Sequence, residues 1–148
     1  MRTLPVSVFS AVFGATTTMA LPALAQTDVW ALLGDVQVDE IVTDTSYEVK
    51  KTFPKQLEDG IRALKITGYA MPLTPGDAIS ELILVSDMGT CPLCGGADHG
   101  TSLQVKLSQP LIGFEDGARI TVQGNLSAVR DTTTWQSAVL ENAVLVDL

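Results

Sequence analysis

Positive charge is scarce in this chain: 9 Lys and Arg stand against 17 Asp and Glu, giving a formal charge of −8, and there are only 2 Cys and 1 His. The missing positive charge argues against nucleic acid and against an anionic membrane surface, both of which would be repelled. A single histidine leaves hydrolytic chemistry short of a base, and no serine stands in a Gly-x-Ser-x-Gly setting. Neither a phosphate-cradling glycine loop nor a dinucleotide fingerprint occurs. One Cys-x-x-Cys with no second copy falls short of a zinc ribbon, and Gly95 after Cys94 excludes a covalent haem site. The acidic neighbours Asp39-Glu40, Glu58-Asp59 and Glu115-Asp116 make no catalytic dyad, because adjacent side chains on an extended strand point to opposite faces. No recognisable catalytic constellation remains, and a non-enzymatic role is the expectation.

Long uninterrupted apolar runs are also missing. Residues 1–25 carry one charge, Arg2, then an apolar stretch broken by Pro5, Gly14, Pro22 and Thr16-Thr17-Thr18, and they end in Ala23-Leu24-Ala25. This reads as a secretory signal peptide with an A-x-A cleavage site and not as a membrane anchor. There is no twin-arginine pair and no cysteine near the cleavage point to take a lipid. The expected mature protein is therefore periplasmic or secreted, free of the membrane, and one positive charge poorer at −9.

After the signal, the expected organisation is an N-terminal helix and extended arm over residues 26–60, then one β domain over residues 61–148. Asp28 to Leu33 suits a short helix, with Thr27 or Asp28 as cap, Trp30 and Leu33 about a turn apart, and Gly34 as its end. Trp30 can pack onto the sheet as a lid. Val36 to Phe53 adds a strand or an extended arm.

Five β-type runs follow: Ala63 to Leu73, Ile79 to Val85, Ser102 to Leu107, Arg119 to Leu126 and Trp135 to Val146. Leu103, Val105 and Leu107 alternate with Gln104 and Lys106, and Ile120 and Val122 alternate with Arg119, Thr121 and Gln123. The connections are too short for crossover helices, which predicts a mainly antiparallel sheet. Five strands, with Gly68 and Gly124 inside two of them as places to bend, predict a small OB-like barrel. A β-sandwich competes only if Val36 to Val49 holds two further strands.

Phe53-Pro54, Leu57, Gly60-Ile61, Gly68-Tyr69-Ala70-Met71-Pro72-Leu73, Leu82-Ile83-Leu84-Val85, a cysteine-containing loop and Gln104-Val105 together resemble DUF3299, a family of bacterial envelope proteins of unknown function. The likeness spans about residues 53–107 and is sharpest at the Gly-Tyr-x-x-Pro-Leu turn. It implies a small exported protein, in some members a neighbour of envelope transport systems connected with metal supply. Two features depart from the family: the lipid-attachment cysteine is absent, and Gly95 to His99 stand where a proline-rich stretch is usual.

Both cysteines and the histidine fall in one run, Cys91-Pro92-Leu93-Cys94-Gly95-Gly96-Ala97-Asp98-His99. Three readings are open. A Cys91–Cys94 disulfide suits an exporting compartment but closes too short a loop to add much stability. Alternatively Cys91, Cys94 and His99 hold a transition metal, with Asp98, Asp87, Met88 or water as a fourth ligand; two thiolates and an imidazole suit zinc, and a Met88 thioether would favour reduced copper. The third is dithiol redox exchange with Cys91 attacking and Cys94 resolving, against which the glycine-rich sequence after Cys94 is unfit for the helix that lowers a thiol pKa. Met71 and Met88 are expected as core or rim packing, Tyr69 as half-buried scaffold, and an envelope transport component as a partner. A docking module using the barrel face with Trp30 or Trp135 is the remaining class.

Overall fold

The computed structural model describes residues 28–88, 101–113 and 115–147. The chain is mainly β, with a closed five-stranded OB-like barrel, a separate hairpin and two short helices. Helix α1 (Val29–Gly34) comes first, followed by strands β1 (Gln37–Val42) and β2 (Tyr47–Thr52) and helix α2 (Lys55–Glu58). The barrel strands are β3 (Ile61–Pro72), β4 (Ala78–Val85), β5 (Ser102–Ile112), β6 (Arg119–Ala128) and β7 (Ala138–Asp147). They close in the order β3-β4-β5-β7-β6, and β6 returns to β3.

One pair departs from the antiparallel expectation. β5 and β7 run parallel, with Gln104 opposite Val139 and Val105 opposite Leu140. The reason is topological: β6 and β7 form an antiparallel hairpin, and the barrel closes when that hairpin inserts β7 beside β5, leaving those two strands pointing the same way. The strand limits also move. β5 runs on past the expected end at Leu107, through Gln109 and Pro110 to Ile112, and Trp135 lies in the β6–β7 connection instead of opening β7. Val36 to Val49 does contribute to two strands, but they pair only with each other and the barrel closes without them, so no sandwich forms.

Period-two burial fills the barrel. On β5 Leu103 and Val105 are buried, on β6 Ile120, Val122 and Leu126, and on β4 Leu82 and Leu84, all within one apolar cluster. Among the described residues no polar side chain is buried. Helix α1 is capped by Asp28, whose Oδ1 accepts from the Trp30 and Ala31 amides at 3.1 and 3.3 Å. Its Val29 and Leu33 join the core. Helix α2 places the fully buried Leu57 in the same core, and Gly60, at φ 72°, turns the chain tightly against the Leu126 carbonyl.

Strand β3 serves two neighbours. It pairs with β6 from Ile61 to Tyr69 and with β4 from Tyr69 to Pro72, and Gly68 sits at the exchange. A Cβ there would lie 2.7 Å from the Val85 carbonyl oxygen, 2.8 Å from Leu84 Cγ and 2.9 Å from Trp30 Cζ2. Trp30 in turn donates its Nε1 proton to the Thr67 carbonyl at 2.9 Å, so the lid expected of it is a covering of the β3 edge. Gly68→Ala is therefore expected to lower stability by about 1–3 kcal/mol through overpacking, read as a lower urea midpoint with an unchanged slope.

The hairpin is attached to the barrel through the β6–β7 connection. Lys51 Nζ donates to three backbone carbonyls, Val129 at 3.1 Å, Asp131 at 2.7 Å and Gln136 at 2.6 Å. The Val49 amide donates to the Thr132 carbonyl at 2.7 Å, and the Val49 side chain is buried. Burial pushes the Lys51 ammonium below its ordinary pKa, while the Asp131 carboxylate pulls it back up. Lys51→Met removes all three charge-assisted bonds and is expected to cost about 2 kcal/mol. Limited proteolysis checks it: cleavage between residues 37 and 52 should accelerate before any loss of barrel signal by circular dichroism.

Candidate functional site

Cys91, Cys94 and His99, the expected metal-ligating residues, lie outside the described residues, as does Asp98. What the structure describes is the frame that carries them. The run follows β4 and precedes β5, two strands in continuous antiparallel register from Glu81–Lys106 to Val85–Ser102. Beyond the last pair the frame is tied twice more. The Ser86 amide donates to the Thr101 carbonyl, and the Thr101 amide donates to Ser86 Oγ, both at 3.0 Å.

Two neighbours press on this frame. Gly34 at the end of α1 packs toward Thr101, such that a Cβ on Gly34 would stand 3.4 Å from Thr101 Oγ1. On the other side Met88 approaches Gly117, whose φ of 79° suits glycine and whose added Cβ would meet Met88 Cε at 3.2 Å. Met88 is 44% exposed and Met71 47%, so both are rim residues. Tyr69 is half-buried scaffold, as expected.

The parallel β5–β7 pair has a consequence for this region. Because Gln104 lies opposite Val139, the residues that begin both strands emerge on the same edge of the barrel. Thr101, at the foot of the cysteine run, and Ser137, at the end of the segment gripped by Lys51, are thereby neighbouring strand entrances. An antiparallel pair would have put them at opposite ends.

That Lys51-gripped segment carries the exposed Trp135, at 53%. Tyr47 of the hairpin sits beside it. The Tyr47 hydroxyl has a pKa raised chiefly by desolvation, with the Trp135 side chain hydrogen-bonding to it and lowering it, and with the Glu40 carboxylate raising it. Asp131 accepts from the Thr133 amide at 2.8 Å and from Thr133 Oγ1 at 2.7 Å, which holds its carboxyl below the usual value and fixes a local turn. Arg130 lies over the Phe53 ring, 5.3 Å from its centre. The Tyr47–Trp135 and Arg130–Phe53 contacts were not anticipated in the sequence, since each joins residues far apart in the chain with no local pattern.

An open groove of about 550 Å³ runs between α1 and the β3–β6 face, along Asp28, Trp30, Lys65, Thr67 and Thr121. Its polar groups are largely engaged already: Asp28 caps α1, and the Thr67 and Thr121 hydroxyls bond each other at 2.8 Å. Among the described residues no three His, Cys, Asp or Glu side chains gather where a metal ion could sit, and no helix is long and apolar enough to cross a membrane. Comparison with protein-family models, with curated proteins and with solved structures found no match.

The doubled Ser86–Thr101 tie is open to measurement. Ser86→Ala leaves the Thr101 amide without its acceptor and is expected to cost about 1 kcal/mol. Hydrogen exchange at the Thr101 amide should speed up several-fold while the Val105 amide, inside the barrel, keeps its wild-type rate.

Proposed function

We propose that this protein is an exported, non-enzymatic member of the bacterial envelope, akin to DUF3299, that binds a transition metal through Cys91, Cys94 and His99. The observation that carries the reading is concentration: both cysteines and the one histidine of the chain lie within nine residues between two strands. A fixed barrel with a tied strand frame suits such a run, because little of the binding energy then goes into ordering the flanking chain. Two thiolates and an imidazole make a donor set fit for zinc, and Met88, at the foot of the run, would supply a soft thioether that favours reduced copper. Binding requires the thiols deprotonated and the imidazole neutral, so affinity falls as the pH drops. The physiological setting is accessory service to envelope metal or transport physiology, with a transport component as partner.

The competing reading, a redox-active dithiol, uses the same two cysteines and rests on the oxidising compartment. Mature protein purified from the periplasm without chelator separates them when free thiols and bound metal are measured together. Stoichiometric zinc or copper, lost in Cys94→Ser and in His99→Ala, is the expected result. Absence of both metal and free thiol would overturn the metal reading, and the reduction potential then distinguishes an inert bridge from a working dithiol.

A further inference from the structure

The barrel closes on itself, but the hairpin does not. β1 has one neighbour, β2, and the phase of their pairing shows which backbone groups of β1 are left over. The Thr43 amide donates to the Ser46 carbonyl at 2.9 Å, which fixes that pair as a hydrogen-bonded one. Bonded and non-bonded pairs alternate along an antiparallel ladder. Ile41–Glu48, Asp39–Lys50 and Gln37–Thr52 therefore share its phase, and Val38, Glu40 and Val42 turn their N–H and C=O groups away from β2. The same phase turns the Val49 amide of β2 outward, where it meets the Thr132 carbonyl. The matching groups on β1 face no strand among the described residues.

We infer that β1 receives an extended, basic segment of a protein partner as an added strand. The edge is six residues long, about 20 Å, and it is held in place before any partner arrives, because Lys51 and Val49 fix the hairpin to the β6–β7 connection. Its charge selects the occupant. Asp39 and Glu40 lie on the strand, Asp44 in the turn and Glu48 on β2, all exposed; against these four the hairpin sets one exposed cation, Lys50 opposite Asp39, because the Lys51 ammonium is consumed by three carbonyls. Exposed Ile41 (40%) and Val42 (68%) offer apolar surface on both faces. Lysine or arginine alternating with aliphatic residues complements this edge. A second copy of the chain is a poorer occupant, since antiparallel β1–β1 pairing would crowd four carboxylates along one seam.

The probe is the blocked peptide acetyl-Lys-Val-Lys-Val-Lys-Val-amide, titrated into the full mature protein at low salt and followed by amide chemical shifts and calorimetry. The expected result is that the Val38, Glu40 and Val42 amides shift and gain exchange protection. Binding should weaken about tenfold or more in Glu40→Pro, which deletes an outward donor without touching a β1–β2 backbone hydrogen bond. A peptide N-methylated along one edge should fail against the wild-type protein, which keeps the test valid if Glu40→Pro misfolds. The proposal is overturned by any of four outcomes: no binding, shifts confined to other surfaces, equal binding of the N-methylated peptide, or equal binding of the glutamate-for-lysine peptide. Self-association through β1 in the absence of peptide would overturn the choice of occupant. Metal content does not enter this readout, so it stands or falls independently of the cysteine run.

Discussion

The backbone's close approach at Gly68 is the constraint on which the rest depends. A five-stranded barrel has no spare strand, so β3 must serve as edge for both β6 and β4, and it changes partner where Gly68 leaves no room for a side chain. The space above that glycine is filled by Trp30, whose indole both packs on the bend and donates to the carbonyl of Thr67 that the partner change leaves facing outward. Seating Trp30 fixes α1. With α1 in place, Val29 and Leu33 complete the core, and Gly34 comes against Thr101 at the foot of the cysteine run. Barrel closure, helix docking and the entrance to β5 are thus links of one chain of contacts.

A second close approach, at Gly124 of β6, does the same work on the far side. A Cβ there would stand 2.8 Å from the Glu141 carbonyl oxygen and 2.9 Å from Leu140 Cγ. The β6–β7 register shifts between Gln123 and Asn125, and Asn142, opposite this shift, takes a φ of 51°. The matching irregularity on β3 leaves Ala63 at φ 52°, where its amide donates to Asn125 Oδ1 and its carbonyl accepts from Gln123 Nε2. Bulges of this kind increase local twist. Here the amide side chains of β6 hold one of them, and the barrel curls tightly enough for β7 to meet β5.

How much of this could be read from the sequence follows from the range of the interactions. The Asp28 cap, the Gly34 end of α1, the alternation on β5 and β6, and the two bending glycines are written in neighbouring residues, and each was legible. The parallel β5–β7 pair was not, because connection length reports only on consecutive strands and these two are separated by β6. Pro110 lies beyond the expected end of β5 at Leu107 yet sits inside the strand, in the register irregularity between the Glu81–Lys106 and Ile79–Leu111 pairs, where no ladder bond is asked of it. Nothing local to Lys51 marks its role, because its ammonium is bonded to carbonyls of a segment nearly 80 residues away. Of the site, the residue types and their spacing were legible, and the structure adds the strands that frame them.

The parallel pair ties the two halves of the functional argument together. It brings the entrances of β5 and β7 to one edge of the barrel, so the frame of the cysteine run and the segment that anchors the hairpin are adjacent and share no covalent link shorter than a strand. Rigid neighbours of this kind transmit displacement poorly unless they can adopt two arrangements. The contacts seen here offer one: Ser86–Thr101 on one side and Lys51 with its three carbonyls on the other are each fully satisfied. A partner added to β1 would therefore leave the Ser86–Thr101 frame unaltered. The arrangement favours proximity over allostery, with the barrel acting as the spacer between the β1 edge and the β4–β5 frame.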